Sequence, residues 1–293
     1  MRVALWQYPI EELASWDAWQ AKLARGIADA AGQGARLVVV PEYASMELVA
    51  LMGADVRASL PAQLAAMQPL LPRYIDAYGE LARVHRVAIV AGSFPEHVAA
   101  SVYRNRARVF GPAGAIGVVE KRQMTRFERT WGVSGGDAQA VFELDGERFA
   151  VAVCYDAEFP LIVRALAVAG AELVCVPSCT DALAGYHRVR VAAAARALEN
   201  QCVVVQAPTV GTAPWSIAVD ENRGAAGAFG PPDHGFPHDG VLALGELDRA
   251  QLVVVDVDLA AVAQVREGGQ VLGHAHWRDS EPALAAPITR VRL

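Results

Sequence analysis

Two hydrophobic patterns alternate along most of the chain: short apolar runs, and apolar residues at helical spacing. Runs such as 37–40 are typical of buried strands, whereas Trp19, Leu23 and Ile27 fall on one face of a helix. The Gly- and Pro-rich segment 211–240 predicts a long loop with short strands. The predicted strands cover residues 3–7, 37–40, 87–91, 101–110, 115–120, 142–144, 149–153, 172–176, 201–206 and 252–257. The predicted helices cover residues 17–31, 62–85 (broken near Pro69 and Pro72), 161–169 and 187–200.

The order of these elements predicts an α/β fold. Strands separated by helices predict parallel pairing, whereas hairpins across residues 111–114 and the Asp145-Gly146 turn add antiparallel strands. Two stacked sheets with helices outside them accommodate the expected number of about 11 strands. Because no linker, repeat or low-complexity tract divides the chain, we predict one domain over residues 1–277 and a C-terminal arm over residues 278–293.

The composition narrows the choice of partners. Apolar residues make up 54% of the 293 residues, the net charge is -6 and no Lys/Arg block stands out, which argues against nucleic-acid binding. No apolar run approaches the roughly 20 residues that span a bilayer, and the chain opens on a predicted strand, not a signal peptide. The four cysteines lack metal-ligand spacing. We therefore predict a cytoplasmic protein with a small-molecule partner and without metal, membrane or nucleic acid.

The most informative position is Cys154, in the run FAVAVCYDAEFP. A cysteine in an apolar strand is typically an inert core residue, and Cys175 and Cys202 fit that description. Cys154 instead is the last apolar position of its run and precedes Tyr155 and polar residues. It is therefore a candidate nucleophile, which needs a neighbouring base or positive charge to form the thiolate.

Two other strands lead into charged residues. Glu42 follows the strand in ARLVVVPEY, and Lys121 follows the strand in AIGVVEKRQ. Taken singly, each reads as a solvated surface residue. Together with Cys154, they predict an active site in which Glu42 exchanges protons and Lys121 stabilises an oxyanion with the Tyr155 N–H.

Glu128 lies seven residues after Lys121. The sequence leaves two interpretations open: it orients Lys121 or the leaving group, or it forms a surface ion pair with Arg126 or Arg129.

Other motifs in the sequence are weaker evidence for a function. Residues 132–136 match G-x-S-x-G but lack the strand before and the helix after that a nucleophile elbow requires. The seven histidines form no metal-binding motif, and no phosphate-binding glycine pattern appears. Arg196 and Glu199 are three residues apart on a predicted helix and predict a structural ion pair.

The segments VVVPE, EKRQM, CYDAEFP, GAELVCVPS, RALEN and VGT follow one another in an order that resembles the nitrilase superfamily, the carbon–nitrogen hydrolases. The resemblance spans nearly the whole chain and implies a four-layer α-β-β-α sandwich of two mixed sheets. It implies a catalytic triad of Glu42, Lys121 and Cys154, with Glu128 as an additional catalytic glutamate. It also implies homodimers or larger assemblies of stacked sandwiches.

The chain departs from the family pattern at two places. Leu161 stands where most members have Glu, which should affect only helix capping. Cys179, Thr180 and Asp181 stand where many members have an aromatic pocket wall. We expect Tyr155, Cys179 and Asp181 to contact substrate; Asp181 either holds a substrate ammonium or caps the next helix. Oxidation could also join Cys179 to Cys154.

The expected reaction is hydrolysis of a small non-peptide amide through a thioester on Cys154, without a cofactor. Three alternatives remain open at this point. The same cysteine could hydrolyse a nitrile through a thioimidate, or pass its acyl group to a nucleophile other than water. The chain could also be a binding protein that keeps the fold without the activity.

Overall fold

The computed structural model describes residues 1–293, in 14 strands and nine α-helices. The strands are β1 (Arg2–Pro9), β2 (Leu37–Val40), β3 (Ala88–Ala99), β4 (Val102–Phe110), β5 (Ile116–Glu120), β6 (Val133–Ser134), β7 (Val141–Leu144), β8 (Glu147–Val151), β9 (Leu173–Ser178), β10 (Val203–Thr212), β11 (Glu221–Asn222), β12 (Gly227–Phe229), β13 (Val241–Leu244) and β14 (Gln251–Asp256). The helices are α1 (Trp16–Gly32), α2 (Ala54–Arg57), α3 (Leu60–Met67), α4 (Leu71–His85), α5 (Arg126–Trp131), α6 (Pro160–Val168), α7 (Leu183–Asn200), α8 (Leu259–Gly268) and α9 (Gly273–Ser280). Short 3-10 helices cover Ala44–Leu51, Gln68–Leu70, Cys154–Glu158 and Glu281–Leu284.

The strands form two mixed sheets that face each other. The first runs β5-β4-β3-β2-β1-β14 and the second runs β7-β8-β9-β10-β12-β13. The sheets join at one end, where Tyr8 and Pro9 of β1 pair in parallel with Thr209 and Val210 of β10. The predicted four-layer sandwich of two mixed sheets is confirmed, with this short ladder as an added link.

Alternating side chains explain why four layers form. Successive residues of a strand point to opposite faces. In β1, Val3 and Leu5 pack between the two sheets, whereas Ala4 and Trp6 pack outward in a second cluster with residues of α1 and α4. On the other side of the molecule, α6 and α7 cover the second sheet. Each sheet therefore has one face against its partner and one against helices.

The sequence analysis placed several boundaries wrongly. The predicted strand 87–91 continues as β3 to Ala99, because Glu96 of β3 pairs with Arg106 and Arg108 of β4. The apolar pattern does not show such charged cross-strand pairs. The predicted helix 187–200 begins four residues earlier, at Leu183.

The last part of the chain lies on the outside. Residues 278–293 are all exposed, and the chain beyond Leu284 has neither helix nor strand. The division into a domain over residues 1–277 and an arm stays a prediction, and so does the homo-oligomer. None of the helices is long and apolar enough to cross a membrane.

Candidate active site

Residues that lie just after the ends of three strands line one cavity. Glu42 lies two residues after β2, Lys121 directly follows β5, and Cys154 lies three residues after β8. All three, with Glu128, line a cavity of about 950 Å³. The structure therefore brings together the four side chains for which the sequence predicts catalytic roles.

Lys121 lies at the centre of the charged groups and is 1% exposed. Its Nζ donates hydrogen bonds to Glu42 Oε1 at 2.8 Å and to Glu128 Oε2 at 2.7 Å. Burial alone would lower the pKa of Lys121, but the charges of Glu128 and Glu42 hold it well above its ordinary value. An ammonium group has three N–H donors, so one remains for a ligand.

Glu128 is held by the start of α5. Thr125 is the N-cap residue, and its hydroxyl accepts from the Glu128 N–H while the Glu128 carboxylate accepts from the Thr125 N–H, which forms a capping box. The Glu128 carboxylate also accepts from the Tyr43 hydroxyl at 2.8 Å. Glu128 is therefore a buried partner of Lys121, and the surface ion pair with Arg126 or Arg129 does not form.

The two carboxylates differ in their affinity for protons. Burial raises the pKa of Glu42, and the Glu128 charge raises it further, although Lys121 opposes both. Burial also acts on Glu128, but Lys121 together with hydrogen bonds from Thr125 and Tyr43 lowers its pKa. Glu128 thus balances the charge of Lys121, while Glu42 is the carboxylate that can take up a proton.

Cys154 occupies a strained backbone position. Its φ is +48°, in the left-handed region that non-glycine residues seldom adopt, and it opens the 3-10 helix Cys154–Glu158. The sequence analysis extended the strand to residue 153, but β8 ends at Val151 and the chain turns before the thiol. This turn carries the sulfur to the cavity instead of leaving it in the sheet.

The surroundings of Cys154 favour the neutral thiol over the thiolate. Burial raises its pKa well above the ordinary value and the Glu42 carboxylate raises it further, whereas Lys121 lowers it. Lys121 therefore favours the thiolate, but its effect is smaller than the combined effect of burial and Glu42. Proton transfer to Glu42 must accompany attack by the sulfur.

Cys179 contacts both reacting groups through its backbone. Its N–H donates to Glu42 Oε2 at 3.2 Å, and its carbonyl oxygen accepts from the Cys154 thiol at 3.8 Å. Its own thiol donates to Asn222 Oδ1 at 3.5 Å, and burial raises the pKa of that thiol to about 12. All four cysteines are free, and the oxidative link between Cys154 and Cys179 stays a prediction.

Tyr155 and Asp181 also line the cavity. The Tyr155 N–H donates to no acceptor within the chain, which leaves it available to a substrate oxygen. Asp181 does not cap α7, whose N-cap residue is Ala182 and whose first turn lacks a side-chain cap. Of the two interpretations that the sequence left open, helix capping is therefore wrong; an ammonium-binding role for Asp181 stays a prediction.

The sequence analysis missed two buried polar residues of the site. Asn105 of β4 donates from its amide nitrogen to Glu42 and to Glu128. Asp156 is fully buried and accepts hydrogen bonds from the N–H groups of Arg122 and Gln123. Asp156 thereby ties the turn that carries Cys154 to the loop that carries Lys121. In the sequence, the position of Asp156 two residues after Cys154 was the one feature that pointed to a role in the site.

Replacing Asp156 with alanine should loosen this tie. Two backbone N–H groups would lose their acceptor, and each loss costs about 1–3 kcal/mol of unfolding free energy where the group stays buried. We also expect a lower kcat, because the turn that carries Cys154 and the loop that carries Lys121 would no longer be held together. Urea denaturation and steady-state kinetics at pH 7 check both effects; wild-type values in both would show that Asp156 does not connect the two loops.

No group of three or more His, Cys, Asp or Glu side chains is arranged to hold a metal ion.

The cavity has further charged residues in its lining besides Glu42, Lys121 and Glu128. They include Arg126, Arg129, Arg188 and Glu158. The Arg188 guanidinium lies 3.7 Å from the Glu158 carboxylate. The cavity can therefore bind a small polar molecule next to the thiol.

The carbon-nitrogen hydrolase family model matches residues 2–267. The chain belongs to this family. Probable hydrolase YhcX of Bacillus subtilis (strain 168) is 31% identical over 272 residues, which cover 92% of this chain and 52% of that protein. The chain thus spans about half the length of that relative. The human omega-amidase NIT2 is 26% identical over 276 residues, which cover 91% of each chain.

Two solved structures of related proteins are also similar to this chain. An amidase from Nesterenkonia sp. AN1 is 26% identical with a TM-score of 0.63, covering 94% of this chain and 99% of that one. A carbon-nitrogen hydrolase from Helicobacter pylori has a TM-score of 0.75 at 18% identity, covering 91% and 92% of the two chains, and shows the shared fold alone. The predicted superfamily and the predicted enzyme class, a hydrolase of carbon–nitrogen bonds other than peptide bonds, are confirmed.

Proposed function

We propose that this carbon–nitrogen hydrolase cleaves a small amide through a thioester on Cys154 and releases ammonia or an amine and a carboxylic acid. The observation that carries the proposal is the meeting of three groups at one cavity: the Cys154 thiol, the Glu42 carboxylate with its raised pKa, and a Lys121 ammonium with one donor unused. The amidase and omega-amidase names of the relatives support an amide as substrate.

In the first half of the reaction, Glu42 takes the thiol proton as the sulfur of Cys154 attacks the carbonyl carbon. The C–S bond forms and the carbonyl electron pair moves to oxygen. The third N–H of Lys121 and the Tyr155 N–H donate to this oxyanion. When the intermediate collapses, Glu42 gives its proton to nitrogen, the C–N bond breaks and a thioester remains.

In the second half, Glu42 takes a proton from water as the water oxygen attacks the thioester. Collapse of this intermediate breaks the C–S bond, and the sulfur regains its proton from Glu42. Glu128 stays ionised throughout and keeps the buried ammonium neutralised, so Glu42 is free to shuttle protons.

The test is ammonia release from a panel of primary amides, ω-amides, carbamoyl amines and nitriles. Wild-type protein should release ammonia from at least one amide, and Cys154→Ala should release none while it unfolds at the same temperature. Cys175→Ala is the matched control, because Cys175 is equally buried but lies within β9 away from the cavity. Turnover of nitriles alone, or an active Cys154→Ala, would contradict the proposal.

A further inference from the structure

Asn105 contacts both carboxylates of the charged centre and the backbone of Lys121. It lies in β4 with no exposed surface. Its amide nitrogen donates to Glu42 Oε1 at 2.9 Å and to Glu128 Oε1 at 3.2 Å. Its backbone carbonyl accepts from the Lys121 N–H at 2.9 Å. A primary amide has two N–H donors, and here each serves a different carboxylate.

The charges of the site explain why such a donor matters. Glu42 and Glu128 share a single cation, so two buried negative charges face one positive charge. Like charges at this separation favour protonation of one carboxylate. A donor that bonds to the ionised form of both groups opposes that protonation and fixes their separation.

The chemistry of Asn105 fits this task. A lysine or arginine at this position would neutralise the pair and remove the base. A hydroxyl group offers one donor and could serve only one carboxylate. The Oδ1 atom of Asn105 has no hydrogen-bond partner, although it is buried, so the side chain is held by its donors to the two carboxylates.

We propose that Asn105 is a positioning residue of the reaction, whose amide group fixes Glu42 against Lys121 and keeps both carboxylates ionised at neutral pH. The inference rests on the proposed role of Glu42 as the proton carrier. It adds a fifth side chain, which does not line the cavity, to the four for which the sequence predicts catalytic roles.

Asn105→Leu removes the donors and keeps the number of side-chain heavy atoms, and Asn105→Asp keeps the shape but adds a third carboxylate. In the leucine variant the acid limb of the pH profile of kcat/KM should move up by about one unit, and kcat at pH 7 should fall about tenfold. In the aspartate variant the limb should move further, since a like charge is added. KM should stay within about threefold in both.

A second readout does not need turnover. The Asn105 amide stabilises the ionised form of Glu42, whose pKa is raised, so this contribution to the unfolding free energy is present above that pKa and is lost as pH falls through it. The deficit of Asn105→Leu should therefore shrink from pH 8 to pH 5. Asn200→Leu is the control: Asn200 is equally buried and hydrogen-bonded to Arg196 and Arg164, outside the cavity.

The pH profile and the stability measurement together show whether the proposed reaction or the role of Asn105 is wrong. If no amide is turned over but the Asn105→Leu deficit shrinks at low pH while that of Asn200→Leu does not, the proposed reaction fails and the role of Asn105 stands. If the deficit is the same at both pH values and the acid limb does not move in either variant, Asn105 is a structural residue and the inference is wrong. If Asn105→Leu does not fold, the profile of Asn105→Asp decides alone.

Discussion

Replacing Lys121 with methionine should abolish amide hydrolysis and destabilise the fold. The variant removes the oxyanion donor and leaves Glu42 and Glu128 buried without a cation. Breaking a buried ion pair by removing one partner costs about 3–5 kcal/mol. Without Lys121 the folded-state pKa of both carboxylates rises, so the folded state takes up protons as pH falls. The stability deficit should therefore be largest at neutral pH and shrink toward the ordinary glutamate pKa of about 4.3.

Lys22 provides the matched control. It is also buried and its Nζ donates to the carboxylate of Glu47, but it lies outside the cavity. Lys22→Met should lose stability and keep kcat, whereas Lys121→Met should lose both. Urea denaturation from pH 5 to pH 8 and ammonia release measure the two effects. A Lys121→Met protein with wild-type kcat would contradict the assignment of the oxyanion donor.

Replacing Glu42 with glutamine should lower kcat by about 10²–10⁴-fold, the usual contribution of general acid–base catalysis. Glutamine keeps the size of the side chain and an acceptor for Lys121 but cannot carry the proton. In the wild type, the raised pKa of Glu42 should place the acid limb of kcat/KM above the ordinary range of a glutamate. That limb should disappear in Glu42→Gln.

Glu47→Gln is the control for this variant. Glu47 is as buried as Glu42 and lies five residues further along the chain, where it binds Tyr8 and Lys22 outside the cavity. Its variant should keep the acid limb and kcat within about threefold. If Glu42→Gln keeps the limb and the rate, another group carries the proton.

The sequence predicted the parts of the site that lie just beyond strand ends. Glu42, Lys121 and Cys154 each follow an apolar run, and a run of that kind marks both the strand and the place where it stops. The two-sheet sandwich followed from the same runs and from the order of the motifs. These features are local in sequence, which is why a single chain reveals them.

Features that depend on distant contacts could not be predicted in the same way. Asn105 is one polar residue among several in a strand, and its partner Glu42 is 63 residues away. The uncapped start of α7 and the positive φ of Cys154 have no signal in the sequence. The difference between the two carboxylates also depends on distances: Lys121 and nearby hydrogen-bond donors lower the pKa of Glu128, whereas burial raises the pKa of Glu42.

The most direct test of the central claim is the mass of the peptide that contains Cys154 after acid quench during turnover of the best amide. We predict that this peptide gains the mass of the acyl group and that Glu42→Gln slows the gain. Turnover with no acyl group on Cys154, or an acyl group on another cysteine, would contradict the account.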